Sequence, residues 1–372
     1  MITWLGCDAV TGKIVEELPD ITVSGTIGSL LAAYTSASPN LPIPLAGYGA
    51  PPRNWLAACE PGRSMIVAVL NGVPVWAGIV LVREGGTDVI LAVACVSIEG
   101  YLDRRFVADH TWVGQDEASV IATGLIGDAN TVEGIGLTVD APATGTLRDR
   151  TYHDQDDKSV YSALRELTGV DGGPEWTVVL GWTDSTQTAI SKTVRVRKRI
   201  GFAKPVSSPV TGTGGVPAVF STLGDNNATY RYTEDYSAGK GANDVMAVSS
   251  GEGTTRPQST HARDTAGLAA GWPRWEHRYT PSTSITVTST LDAHATSSLA
   301  LMRNGSRVLT VTARADAYPM LGVDWSTGDD VGYELIGHRH PDGLIGVARA
   351  IGWTIDPSAG TVSPILLIAE VS

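Results

Sequence analysis

Apolar and polar positions alternate most tellingly between residues 61 and 105. Residues 65–70 are apolar, Asn71-Gly72 interrupts them, and 73–82 are apolar again around Trp76 and Gly78. Asn-Gly between two hydrophobic runs predicts a two-residue type I′ turn, because that turn needs positive φ at both central positions. Residues 83–88, with Gly85-Gly86 inside, predict the next turn. A third strand follows over 89–98 and closes in Glu99-Gly100-Tyr101-Leu102-Asp103-Arg104-Arg105. Such a meander builds a barrel or sandwich wall and carries no chemistry of its own.

Beyond it the period changes. Residues 115–129 predict a helix with Asp116 and Glu117 in its first turn, where the helix dipole favours acids. Residues 158–168 predict another, with Asp157 as N-cap, Val160, Leu164 and Leu167 at i, i+4, i+7, and Gly169 to end it. With strand pieces at 137–140 and 176–182, residues 106–185 read as a small α/β region inserted after the meander. Residues 192–199 alternate, their basic side chains mainly on one face, and no Asp or Glu occurs between Asp184 and Asp225. Residues 205–219 are Gly, Pro, Ser and Thr rich, a loop or linker. From about 230 strands are expected at 284–291, 308–315, 331–336, 344–355 and 361–371. A helix is expected at 292–303, with Ala295, Leu299 and Met302 on one face. Residues 1–60 are less regular, with a strand at 21–23 and a Pro-rich loop at 39–52. Trp353, the Gly-bearing turn at 356–360 and the last strand repeat the design of Trp76, the turn at 84–86 and its following strand. The repeat points to two related β domains, one near each end.

Length and composition narrow the classes. A chain of 372 residues exceeds one ordinary core. Gly (42) and Pro (20) are plentiful and charged residues make up 18%, as in turn-rich β proteins rather than coiled coils or disordered tails. The formal net charge of −12 argues against a surface that grips nucleic acid throughout, and is compatible with a wall that DNA slides past, since like charges repel. Three cysteines (Cys7, Cys59, Cys95), an odd number without metal-ligand spacing, predict small core hydrophobes in a reducing compartment. Neither a secretory signal nor a membrane-spanning run is visible, so synthesis in a cytoplasm and a soluble product are expected.

Three clusters invite chemistry. His338-Arg339-His340 with Asp342 would place two imidazoles on one strand face near a carboxylate, as in a metal site. Pro341-Asp342-Gly343 reads equally as a hairpin turn. Tyr152-His153-Asp154-Gln155-Asp156-Asp157 sets acids beside a His, but they also stand where a helix N-terminus favours them. Residues 324–330 carry Asp324, Asp329 and Asp330 in a calcium-like loop that lacks the terminal Glu. A glycosidase would need paired carboxylates and aromatic platforms. The ten Trp invite that thought, yet Trp76, Trp176 and Trp353 stand in apolar strands and read as core. No G-x-S-x-G elbow, H-E-x-x-H or P-loop is present. The basic strand 192–199 reads as a source of salt bridges to a neighbouring domain or subunit before a DNA contact. No catalytic, cofactor-binding or metal residue is therefore assigned.

Several of these segments together resemble minor tail proteins of long-tailed phages that infect actinobacteria. They are Val75-Trp76-Ala77-Gly78 running into Ser97–Arg105, the helix Ser159–Leu167 followed by Glu175-Trp176-Thr177, and the closing Arg349-Ala350-Ile351-Gly352-Trp353-Thr354-Ile355-Asp356. The resemblance implies a tail hub, or baseplate hub, and a mainly β, multidomain α+β fold. Two tail-tube-like β-barrel or sandwich domains would span 1–105, with 190–229 returning to it, and 230–372, which could hold a small insertion of its own. A small α/β domain would be inserted at 106–189. It also implies a non-enzymatic homotrimer whose pseudo-sixfold ring joins the hexameric tail tube to threefold tip proteins and surrounds the channel for DNA and tape measure. Partners would be the distal tail or tube protein, the tape measure protein and other tip or receptor-binding proteins, with no cofactor, in the virion tail tip. The chain ends directly after the second tube-like domain, so no attached lysin or receptor-binding module is expected. A second hypothesis, from another class, is a carbohydrate-binding or carbohydrate-cleaving tail-tip protein acting on the host envelope. Exposed Trp in a cleft would favour it.

Overall fold

The predicted meander is the spine of an eight-stranded antiparallel sheet. In a computed structural model the described residues are all except 1, 44–53, 171, 206–214, 225–227, 252–255, 282–284, 286 and 368–372. The sheet uses β1 (Ile2–Asp8), β2 (Ile14–Glu17) and β3 (Thr22–Val23). β4 (Ile27–Leu30) leaves it for another sheet, and β5 (Ser36–Ala37), β6 (Pro39–Pro42), β7 (Ser64–Leu70), β8 (Val73–Glu84) and β9 (Ile90–Ser97) complete it. The order is β2-β1-β7-β8-β9-β6-β3, with β5 also on β9. Asn71 (φ 51°) and Gly72 (φ 83°) both take the left-handed backbone that the β7–β8 turn requires. Every residue of β7 is buried, which is why its sequence is continuously apolar rather than alternating. A short helix α1 (Trp55–Ala58) packs beside β1, where a Cβ on Gly6 would stand 2.5 Å from that of Ala58.

A 3₁₀ segment, Ile98–Arg104, leads from β9 into the region of mixed structure. There β10 (His110–Asp116) pairs with β12 (Leu147–Tyr152), and β11 (Thr138–Asp140) runs parallel to β14 (Ile190–Arg197), which pairs with β13 (Glu175–Trp182). Asp116 caps a π-helical turn, Glu117–Ala122, continued by α2 (Thr123–Asn130). Asp157 does not cap α3 (Val160–Thr168): Ser159 does, its hydroxyl accepting from the Ser162 N–H, while Asp157 turns left-handed (φ 48°). Two polar residues so close compete for one cap, and the shorter hydroxyl reaches the open N–H.

One core joins these layers. Met65, Val67 and Ile79 of the sheet pack with Ile121, Leu125, Leu164 and Leu167 of the helices and with Trp176 and Val194 of the three-stranded sheet. Each such side chain contributes roughly 1.5–3 kcal/mol on burial. Residues 1–229 and 311–372 form one compact unit, and 230–310 a second. In the first, β15 (Val219–Ser221) lies parallel to β21 (Asp330–Gly337) of the closing sheet. In the second, β16 (Thr229–Asp235) leads to a sheet of β17 (Asp244–Ala247), β18 (Ala262–Arg263) and β19 (Glu276–Tyr279), with α4 (Thr265–Ala269) and α5 (Thr288–Met302). Its small core gathers Ala242, Val245, Ala247, Leu291, Ala295 and Met302. Thr288–Leu291, expected as strand, opens α5: burying Leu291 beside Ala295 outweighs the strand preference of a Thr-rich segment.

The chain closes with β20 (Ser306–Arg314), β21 (Asp330–Gly337), β22 (His340–Asp356) and β23 (Thr361–Leu367). β22 pairs with β21, β23 and the distant β4. The turn expected at 341–343 falls earlier in the chain. His338-Arg339 make the turn, Gly337 facing His340, and Pro341-Asp342-Gly343 bulge opposite the single residue Ile336. Proline lacks the N–H that a regular ladder would use, so a bulge accommodates it. The molecule is mainly β, with several sheets and more than one compact unit.

Candidate functional site: a three-way junction and its exposed hairpins

The segment 27–37 ties three sheets of the first unit together. β4 hydrogen-bonds along β22 from Ile27↔Ile355 to Leu30↔Gly352. The Leu31 N–H then donates to Ile351 O (2.9 Å) and the Ala32 N–H to Trp176 O (3.0 Å). Thr35 follows: its N–H donates to Ser97 Oγ (3.0 Å), its hydroxyl to Gly28 O (2.6 Å), and it accepts from Trp76 Nε1 (3.2 Å). The approach is close enough to demand glycine at two facing positions. A Cβ on Gly28 would stand 2.6 Å from Trp353 O, and one on Gly352 2.3 Å from Ser29 O.

A second tie is ionic. Arg349 of β22 donates to both carboxylate oxygens of Glu175 on β13 (2.6 and 2.5 Å), and also to Ile200 O and Gly328 O (2.9 and 3.1 Å). Burial would raise the Glu175 pKa, but the Arg349 fork and the Ile200 N–H outweigh it and hold the carboxyl below its ordinary value. Gly201 (φ 83°) and Gly328 (φ 100°) interlock beside this pair, each where a Cβ would strike the other loop's backbone. The carboxylates expected in a calcium-like loop are spent here. Asp329 accepts from the Phe202 and Ser326 N–H groups, Asp330 from Arg199 and the Lys204 N–H, and Asp324 from the Met320 N–H.

The basic strand makes pairs within the chain. Arg195 and Arg197 both reach Asp140 on the neighbouring β11, and Arg199 reaches Asp330. Lys192 points the other way, fully buried, its ammonium donating to Ala9 O (2.8 Å) and Val10 O (3.2 Å). Its burial lowers its pKa. Asp154, Asp156 and Asp157 are exposed at the surface. Among the described residues, no three His, Cys, Asp or Glu side chains are grouped to hold a metal. The three cysteines are buried free thiols; burial pushes Cys7 up to about 12 and Cys59 to about 11, and raises Cys95 further. No helix among the described residues is long and apolar enough to cross a membrane. Trp76, Trp176 and Trp353 are core residues, 1–3% exposed.

Two hairpins of the first unit end in exposed apolar side chains. On β8–β9 these are Leu81, Val82, Val89 and Ile90, and on β21–β22 Ile336 and Ile345. A bulge between Val80 and Val82 breaks the alternation, so that consecutive residues 81 and 82 both meet solvent.

This arrangement of sheets recurs elsewhere. Two tail proteins share the fold. One is the tail protein from Neisseria meningitidis MC58, with a TM-score of 0.51 at 15% identity over 98% of this chain and 96% of that one. The other is the 43 kDa tail protein of prophage MuSo2 from Shewanella oneidensis, with a TM-score of 0.53 at 14% identity over 99% and 98%. No protein-family model and no curated protein matches the sequence. At such identities the likeness is one of fold, and it extends over nearly the whole chain.

The junction had little signal in the sequence. Glu175 and Arg349 lie 174 residues apart, and β4 and β5 are too short for periodicity to mark. Glycine at 28 and at 352, each inside an apolar stretch, is the signal that could have suggested a close backbone approach, and it went unread.

Proposed function

We propose that this chain is a structural subunit of a phage tail tip: a hub of three copies whose pseudo-sixfold ring joins a hexameric tail tube to threefold tip proteins. The observation that carries this reading is a fold shared with two tail proteins over nearly the full length of all three chains. In this reading residues 1–105 form the first tube-like domain and 106–189 its insertion; of the expected return over 190–229, β14 pairs instead with β11 and β13, and β15 with β21. Residues 230–372 form the second, with 230–310 as an insertion of its own. The β4 strap and the Glu175–Arg349 pair would hold the sheets at a fixed angle, as a ring subunit needs. The apolar hairpin ends would be covered by neighbouring copies, since exposed strand edges and apolar patches invite association. An acidic lumen would let DNA and tape measure pass without adhering. The role is non-enzymatic, in the virion.

Light scattering across a concentration series tests the assembly. A species of three times the 39.0 kDa chain mass is expected at high concentration. Lysine at Val82 and Ile90 should dissolve it. A strict monomer that chemical cross-linking cannot trap as a trimer would count against the proposal.

A further inference from the structure

The second unit presents a rigid aromatic surface that the hub reading does not use. Trp272 and Trp275 are each 51% exposed, although large apolar side chains in a small domain normally seek its core. They flank Tyr236, with ring centroids 5.6 and 6.2 Å from its own. The Tyr236 ring packs directly on two glycines: Cβ atoms on Gly241 and Gly305 would meet it at 2.4 and 2.8 Å.

The loop carrying the indoles, Trp272-Pro273-Arg274-Trp275, is fastened from below by fully buried polar groups. Asn243 donates to Pro273 O (2.9 Å) and accepts from the Trp275 N–H (2.7 Å). The N–H groups of Asn243 and Asp244 both donate to Trp275 O. Asp244, 1% exposed, accepts from Arg274 (2.5 Å), Arg263 (2.9 Å) and His261 (2.5 Å). Arg274 also reaches Glu276 (2.8 Å). The loop that carries the indoles is thus held in place before any ligand arrives, which lowers the entropy cost of binding.

We propose that this face binds a saccharide chain, the two indoles stacking on the apolar C–H faces of successive rings while Arg274 and Glu276 meet their hydroxyls. Charge decides between the ligands that stack on aromatics. Residues 230–310 hold eight Lys and Arg against seven Asp and Glu, while the rest of the chain holds 19 against 32. A nearly neutral surface offering both donors and acceptors suits a polyhydroxylated ligand. A single-stranded nucleic acid needs a clear excess of cations along its backbone.

Saturation-transfer NMR on the full chain tests this with a panel of short N-acetylglucosamine, glucose, galactose and rhamnose oligomers, and with an oligo-dT of similar length. At least one sugar oligomer should receive saturation on its ring C–H protons. Trp272→Ala and Trp275→Ala should each weaken its binding about tenfold, while Phe at either position retains it. Neither side chain belongs to the core of Ala242, Val245, Ala247, Leu291, Ala295 and Met302, and circular dichroism checks that the variants fold. Silence across the sugar panel, binding undiminished in the double alanine variant, or preferential binding of oligo-dT would each overturn the proposal. None of these results depends on whether the chain trimerises, so the hub reading stands or falls separately.

Discussion

Replacing Arg349 by Met removes four hydrogen bonds at once: two to Glu175 and one each to Ile200 O and Gly328 O. The methionine keeps most of the apolar stem, so the loss is chiefly polar. Removing one partner of a buried pair costs roughly 3–5 kcal/mol, because the other charge is left unpaired. Here the side chains of Arg349 and Glu175 are 17% and 22% exposed, and the Ile200 N–H still serves the carboxylate. Water and that donor recover part of the penalty, which brings the expected cost to about 2–3 kcal/mol. With an m-value of about 2 kcal/mol/M the urea midpoint of the first unit should fall by about 1 M. Adding Glu175→Gln should restore about half of the loss, because the uncompensated charge is gone. A cost below about 0.5 kcal/mol, or two single costs that simply add in the double variant, would show that the pair does not tie β13 to β22.

Four further outcomes follow from the structure. Gly352→Ala should cost about 1–3 kcal/mol and loosen hydrogen-exchange protection along β4, because its Cβ meets Ser29 O. Gly127→Ala in α2, where a Cβ meets nothing within 4 Å, should be neutral or stabilising by up to about 1 kcal/mol in the same urea assay. Burial raises the pKa of the fully buried Glu99, more than its bonds from Ser97 and from the Glu99 and Val178 N–H groups lower it. Stability contributed by that group is therefore present below the ordinary carboxylate pKa and lost as pH rises through its folded value, at up to about 1.4 kcal/mol per pH unit. Glu99→Gln should abolish this loss and raise the thermal midpoint at neutral pH. Glu175, Asp116 and Asp244 have the opposite sign, with folded pKa values lowered by the hydrogen bonds they accept. Their contribution is present above about pH 4 and lost as pH falls through their folded values, so the thermal midpoint should drop steeply on acidification below pH 4.

The sequence made the local rules legible and hid the long-range ones. Asn71-Gly72 announced its turn because a two-residue connection leaves the backbone one good solution. Val160, Leu164 and Leu167 announced α3 because one helix face must be apolar. β17 escaped notice: Asp244 inside a four-residue strand reads as a breaker until His261, Arg263 and Arg274 are seen around it. β22 was legible as a strand, yet nothing in its pattern says that β4, more than 300 residues earlier, is its partner. Basic residues at 192–199 predicted salt bridges but not their acceptor, since Asp140 reaches Arg195 and Arg197 only through the parallel pairing of β11 with β14. The buried Trp trio was read correctly from its apolar neighbours. Trp272 and Trp275 carried the opposite signal in their surroundings of Pro, Arg and Glu.

Electron-microscope class averages of the purified chain at high concentration test the central claim most directly. The account predicts threefold rings with a central hole, each showing six similar lobes. Single compact particles at every concentration, with no ring even when the tail tube protein is added, would contradict it.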